Sequence, residues 1–140
     1  MLTPITNEWK GLAVPGNLEA VQGFVEECLD AGGASMKTQM QMSVAVEEVF
    51  INIAHYAYAP GTGEAVVTVT LSGSPAAAAI TFRDKGVPYD PLANSDPDVT
   101  LSADEREIGG LGIFMTKKLV DEMSYEYRDG ENVLTLRKLL

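Results

Sequence analysis

Two short hairpins constrain this chain more than any other feature. From Ala65 to Leu71 the residues alternate, with Val67, Val69 and Leu71 on one face. Ser72-Gly73-Ser74-Pro75 then makes a turn, and Ala76 to Phe82 continues as a second strand. Ser124 to Arg128 and Val133 to Leu139 form another strand pair around Asp129-Gly130-Glu131-Asn132. Tight turns between strands dictate antiparallel neighbours. A short apolar run, Trp9 to Val14, supplies an edge strand.

Helical patterns fill the intervals. Leu18, Val21, Val25 and Leu29 recur at helical spacing after Asn17, a good N-cap, and the run stops at Gly32-Gly33. Ser35 can cap a second helix running to about Tyr58, which Pro60-Gly61-Thr62-Gly63 ends. Ile113, Met115, Leu119 and Val120 mark a third, to about Glu122. This order predicts an α/β fold of the α+β kind. It is a two-layer sandwich with helices on one face of a mixed, largely antiparallel sheet of about five strands. With 140 residues and no linker or repeat, residues 1–140 read as one domain.

Charge and cysteine content narrow the function. The formal net charge of -10 argues against a general nucleic-acid binder, whose affinity comes from Lys and Arg on phosphates. It does not oppose a nucleotide carried with a metal ion, because a local site can differ from the global field. Cys28 is the only cysteine, so no internal disulfide is possible and a reducing cytoplasm is expected. One Cys and one His give no zinc-ligand spacing. Met1 to Lys10 lacks the pattern of a signal peptide, and no apolar run approaches the ~18 residues of a membrane span.

Three stretches carry possible chemistry. In Glu47-Glu48-Val49-Phe50-Ile51-Asn52-Ile53-Ala54-His55-Tyr56, helical spacing puts Glu48, Asn52 and His55 on one stripe, with Val46, Val49, Phe50 and Ile53 toward a core. That stripe is either a solvated face or the wall of a site that positions a metal-bound anion. Asp84-Lys85-Gly86 closes a core strand. It is turn chemistry, or else a carboxylate that can take the exocyclic amine of adenine, with Gly86 permitting close approach of the base. Gly109-Gly110-Leu111-Gly112 opens a helix. It is a hinge, or a set of exposed N–H groups at a helix N-terminus suited to phosphate. The patternless stretch 87–108, with Pro88, Pro91 and Pro97, is long enough to be a binding loop or lid.

In this order the three stretches resemble a known superfamily. Glu48-x-x-x-Asn52 looks like the N box of the Bergerat-fold ATP-binding proteins, which include gyrase and the histidine kinases. Asp84-x-Gly86 looks like their first glycine box and Gly110-x-Gly112 like their second. More narrowly, Glu47 to Tyr56, Asp84 to Pro91, Gly109 to Ile113 and Val120-Asp121-Glu122-Met123 resemble the anti-sigma-factor serine kinases of bacterial partner-switching systems.

The resemblance implies ATP and Mg²⁺ as cofactors. Asn52 would hold the metal, and Glu48 would orient or deprotonate the attacking serine hydroxyl or a water. Asp84 would bind the adenine amine beside Gly86. Gly110 and Gly112, with the neighbouring N–H groups of Gly109 and Leu111, would contact the phosphates. Arg106 either reaches the terminal phosphate or stays a solvated lid residue. The implied function is that of a cytoplasmic protein-serine kinase and anti-sigma factor. It would hold a sigma factor or similar target in one state and phosphorylate a small antagonist protein in the other. The alternative is a non-catalytic ATP-binding module that sequesters a partner. A homodimer is possible; direct contact with nucleic acid or membrane is not implied.

Overall fold

A computed structural model describes residues 4–73, 76–93 and 110–140. Strand β1 (Ile5–Leu12) leads through a 3₁₀ turn, Pro15–Asn17, into helix α1 (Leu18–Ala31). Helix α2 (Met36–Asn52) continues into a π-helical turn, Ile53–Ala57. Strands β2 (Glu64–Ser72) and β3 (Ala77–Asp84), helix α3 (Gly110–Leu119), and strands β4 (Glu122–Arg128) and β5 (Glu131–Leu139) follow.

The five strands form one sheet in the order β1-β2-β3-β5-β4, and every neighbouring pair is antiparallel. The sheet is thus antiparallel throughout rather than mixed. Its helix-facing residues run in rows across the strands. Val69, Ile80 and Leu136 make one row, and Val67, Phe82 and Leu134 the next. All six are buried, and they meet Val21, Val25 and Leu29 of α1 and Met42, Val46 and Phe50 of α2. Alternation makes this possible: the opposite face carries threonines, which bond laterally as Thr6–Thr70 at 2.9 Å and Thr81–Thr135 at 3.2 Å.

Several boundaries differ from the sequence reading, each for a local reason. β1 begins at Ile5 instead of Trp9 and ends at Leu12. An edge strand needs only main-chain pairing, here from Ile5 opposite Leu71 to Leu12 opposite Glu64, and no apolar run. Trp9 packs edge-on against Phe50 with ring centroids 5.8 Å apart. Asn17 does not cap α1 with its side chain; its Nδ2 donates to the Leu12 carbonyl at 2.8 Å, tying the helix entry to β1. Ser35 does cap α2, accepting from Thr38 N–H at 3.1 Å.

Gly33, at φ +85, ends α1 in a Schellman arrangement. Gly33 N–H donates to Asp30 O at 3.0 Å, and Ala34 N–H to Leu29 O at 2.9 Å. Helix α3 stops at Leu119, short of Glu122, because Glu122 already pairs with Arg137 in the sheet. β3 runs on to Asp84, past Phe82. The β4–β5 turn is only Asp129-Gly130, with φ 55 and φ 79, the left-handed pair of a type I′ hairpin. Glu131 and Asn132 therefore belong to β5 and not to the turn.

Candidate functional site

The two-residue turn, which leaves Asn132 within β5, shapes the site. One rung beyond the row of Phe82 and Leu134, the sheet register sets Asp84 of β3 directly opposite Asn132 of β5. Both side chains stand on the helix-facing side, where an apolar residue would otherwise extend the core. Both are buried, at 5% and 7% exposure. A cavity of about 450 Å³ opens above them, a size suited to a small-molecule ligand. Its apolar floor and walls come from Val49, Ile53, Phe82, Ile113 and Leu134, and Asp84, Asn132 and Asn52 are its polar points.

The two oxygens of Asp84 differ: Oδ1 makes the turn, and Oδ2 is left over. Oδ1 accepts from Gly86 N–H at 2.9 Å, an Asx turn, and from Asn132 Nδ2 at 2.9 Å. Oδ2 has no hydrogen-bond partner among the described residues. Burial pushes the Asp84 carboxyl above its ordinary value, while the bonds from Asn132 and Gly86 hold it down and the charge of Glu131 adds to the rise. An acceptor with a free lone pair at the polar end of an apolar slot can take an amine N–H from a planar ligand.

Asn132 was missed by sequence reasoning, which placed it in the turn. The available signal was Asp129-Gly130. Read as a two-residue hairpin turn, it puts Asn132 in phase with Leu134 and Leu136, a polar residue on the core face. Its amide donates to Asp84 and to Val87 O at 3.0 Å, and lies 3.5 Å from Gly86 O. Its carbonyl oxygen accepts from Tyr89 N–H at 3.0 Å and from the Tyr125 hydroxyl.

Gly86 is required here by protein packing. A Cβ at this position would overlap the carbonyl of Ala57, which also accepts from Val87 N–H at 2.9 Å. The loop after β3 is thereby fastened to the end of the π-helical turn. Tyr58 fastens it again: its hydroxyl donates to Glu64 O at 2.6 Å and accepts from Lys85 N–H at 2.7 Å.

Asn52 is half-buried and lines the cavity, with no hydrogen-bond partner among the described residues. The cavity-lining residues here are Val49, Asn52, Ile53, Tyr56 and Ala57, so the stripe is rotated from the expected Glu48–Asn52–His55 line. His55 is exposed and stacks edge-on with Tyr56 at 6.0 Å between ring centroids. Glu48 is half-buried on the neighbouring flank, and its carboxylate sits where a Cβ of Gly112 would be.

Glu48 of α2 thus meets the first turn of α3, which contains Gly110, Leu111 and Gly112, and Asn52 shares the cavity lining with Ile113 of that helix. That turn holds no acidic residue, and its N–H groups have no partner within the helix. Arg106, Gly109 and most of the expected 87–108 lid lie outside the described residues. Among the described residues, no cluster of three His, Cys, Asp or Glu could hold a metal alone. A metal bound here would rest on Asn52 together with a ligand's own oxygens, as Mg²⁺ does when it travels with phosphates.

All elements of the fold but most of β1 and the last residue of β5 lie within a stretch of the chain that matches a family model. The histidine kinase-like ATPase domain matches residues 12–138. The chain belongs to that family. ATP is accordingly the ligand that membership implies. A serine/threonine-protein kinase of Bordetella bronchiseptica, BtrW, is 29% identical over 102 residues, covering 73% of this chain and 71% of the relative. Among the described residues no helix is long and apolar enough to cross a membrane.

Proposed function

We propose that this protein is an ATP-dependent protein-serine kinase acting as a regulatory switch. The observation that carries the reading is one cavity lined by Asn52 and by Asp84, whose buried Oδ2 has no partner among the described residues, with the Glu48 carboxylate beside it against Gly112 of α3. Similarity to a protein named as a serine/threonine kinase supports it. Adenine would lie in the apolar slot with its amine on Asp84. Asn52 would hold Mg²⁺, which supplies charge neutralisation on the phosphates when bound. The N–H groups of Gly110, Leu111 and Gly112, preceded by Gly109, would cradle the phosphates, with Arg106 as an added cation from the lid.

Glu48 would accept the proton of an attacking serine hydroxyl. Catalysis would rest mainly on positioning and electrostatics, as is usual for phosphoryl transfer. The substrate would be a serine on a small antagonist protein, and the alternate partner a sigma factor or similar target, in the cytoplasm. The kinase itself would work as a monomer or a homodimer.

Incubation with γ-labelled ATP, Mg²⁺ and the candidate antagonist tests this. Label is expected on an antagonist serine with the natural protein and at least ~100-fold less with Glu48→Ala, as for loss of a general base. Intact ATP and antagonist binding without any label transfer would replace the kinase with a purely ATP-sensing binding module.

A further inference from the structure

We infer that Asn132 is the positioning residue that sets selectivity for the adenine base and couples it to the loop after β3. The inference rests on the cavity being an ATP site. Asn132 is not needed to fill space in the sheet, where an apolar residue would continue the core of Leu134 and Leu136. Its presence there carries the cost of burying an amide, which is offset only when every polar atom is paired.

Each is paired. Two N–H donors go to Asp84 Oδ1 and Val87 O, and the two lone pairs of Oδ1 accept from Tyr89 N–H and the Tyr125 hydroxyl. The amide has one possible orientation. Val87 O can only accept and Tyr89 N–H can only donate, so a flipped amide would lose both.

Two consequences follow from this saturation. Asn132 and Gly86 N–H together occupy Asp84 Oδ1, so the carboxylate cannot rotate without breaking two bonds. Its other oxygen is held toward the cavity as a lone acceptor. The same amide grips Val87 and Tyr89, the chain that leaves β3 along the cavity wall. The acceptor that reads the base and the segment bordering the base are thus fixed by one side chain. A displacement of Val87–Tyr89 removes two of the bonds that orient Asn132, which loosens its hold on Asp84 and lowers selectivity.

The test compares ATP with purine riboside triphosphate, which is ATP without its 6-amine, by calorimetric titration in Mg²⁺. The natural protein is expected to favour ATP by about tenfold or more, the worth of one hydrogen bond to a carboxylate. Asn132→Ala is expected to abolish most of that preference. Tyr125→Phe, which removes a single bond to the amide and keeps the ring, is expected to lower it by about two- to fivefold.

A merely structural role for Asn132 would weaken both nucleotides equally and leave their ratio unchanged; that result in both variants overturns the inference. Should Asn132→Ala fail to fold, Tyr125→Phe decides the matter alone. If the natural protein binds neither nucleotide, the ATP reading itself fails, a separate outcome from a preserved ratio.

Discussion

Replacing Asp84 by asparagine separates what this carboxylate does for the fold from what it does for the ligand. The substitution is nearly isosteric. The amide oxygen of Asp84→Asn can accept from Gly86 N–H and Asn132 Nδ2, the two bonds that Oδ1 now holds at 2.9 Å each. An NH₂ group then replaces Oδ2 and presents a donor to the donor of the adenine amine. A hydrogen bond to a charged group contributes about 1.5–3 kcal/mol, so ATP affinity should fall between about tenfold and 150-fold. Affinity for purine riboside triphosphate should hardly change.

Stability of the nucleotide-free protein should move the other way. Burial raises the Asp84 carboxyl above its ordinary 3.8, so between that pH and its raised value the folded state binds more protons than the unfolded one. Ionisation therefore costs the folded state stability as pH rises through that window, and the loss persists above it. Asp84→Asn has no such loss. Its thermal midpoint should exceed that of the natural protein at pH 7, and the gap should narrow as pH falls toward 4. Thermal unfolding across pH 4–8 with calorimetric ATP titration reads both effects. A variant that binds ATP normally, or whose midpoint is lower at pH 7 than at pH 4 relative to the natural protein, would refute the reasoning.

Gly86→Ala would drive a Cβ into the Ala57 carbonyl, a backbone group with little freedom; the urea midpoint should drop by the equivalent of about 1–3 kcal/mol. Gly112→Ala meets the far end of the Glu48 side chain instead, which can swing aside. Its stability should stay within about 1 kcal/mol by urea titration, while label transfer to the antagonist falls at least tenfold as Glu48 is displaced. Ser35→Ala removes the bond to Thr38 N–H at the start of α2 and should cost about 1 kcal/mol in the same urea assay, with ATP affinity unchanged.

Much of the architecture could be read from periodicity. Val67 and Val69 alternate in β2, and Leu18, Val21, Val25 and Leu29 recur in α1, because burial of one face leaves a period in the chain. β1 escaped at its start because Ile5 to Glu8 are all exposed, so burial leaves no apolar period there. The cavity residues Asp84 and Asn52 were named from motif spacing. Asn132 was not, since register is a property of two strands together.

Asn132 gains its meaning only from lying opposite Asp84, 48 residues away along the chain. Gly86 also admits the close approach of Ala57, a contact no local pattern encodes. The turn at Asp129-Gly130 was the one local clue, and taking it as four residues hid Asn132.

The most direct measurement is a crystal structure with Mg²⁺ and a non-hydrolysable ATP analogue. The expected result puts the adenine 6-amine within about 3.2 Å of Asp84 Oδ2. The phosphates should lie at the first turn of α3, and Asn132 should still be bonded to Asp84. A base lying outside the cavity, or one inside it whose amine turns away from Asp84, would contradict the central claim.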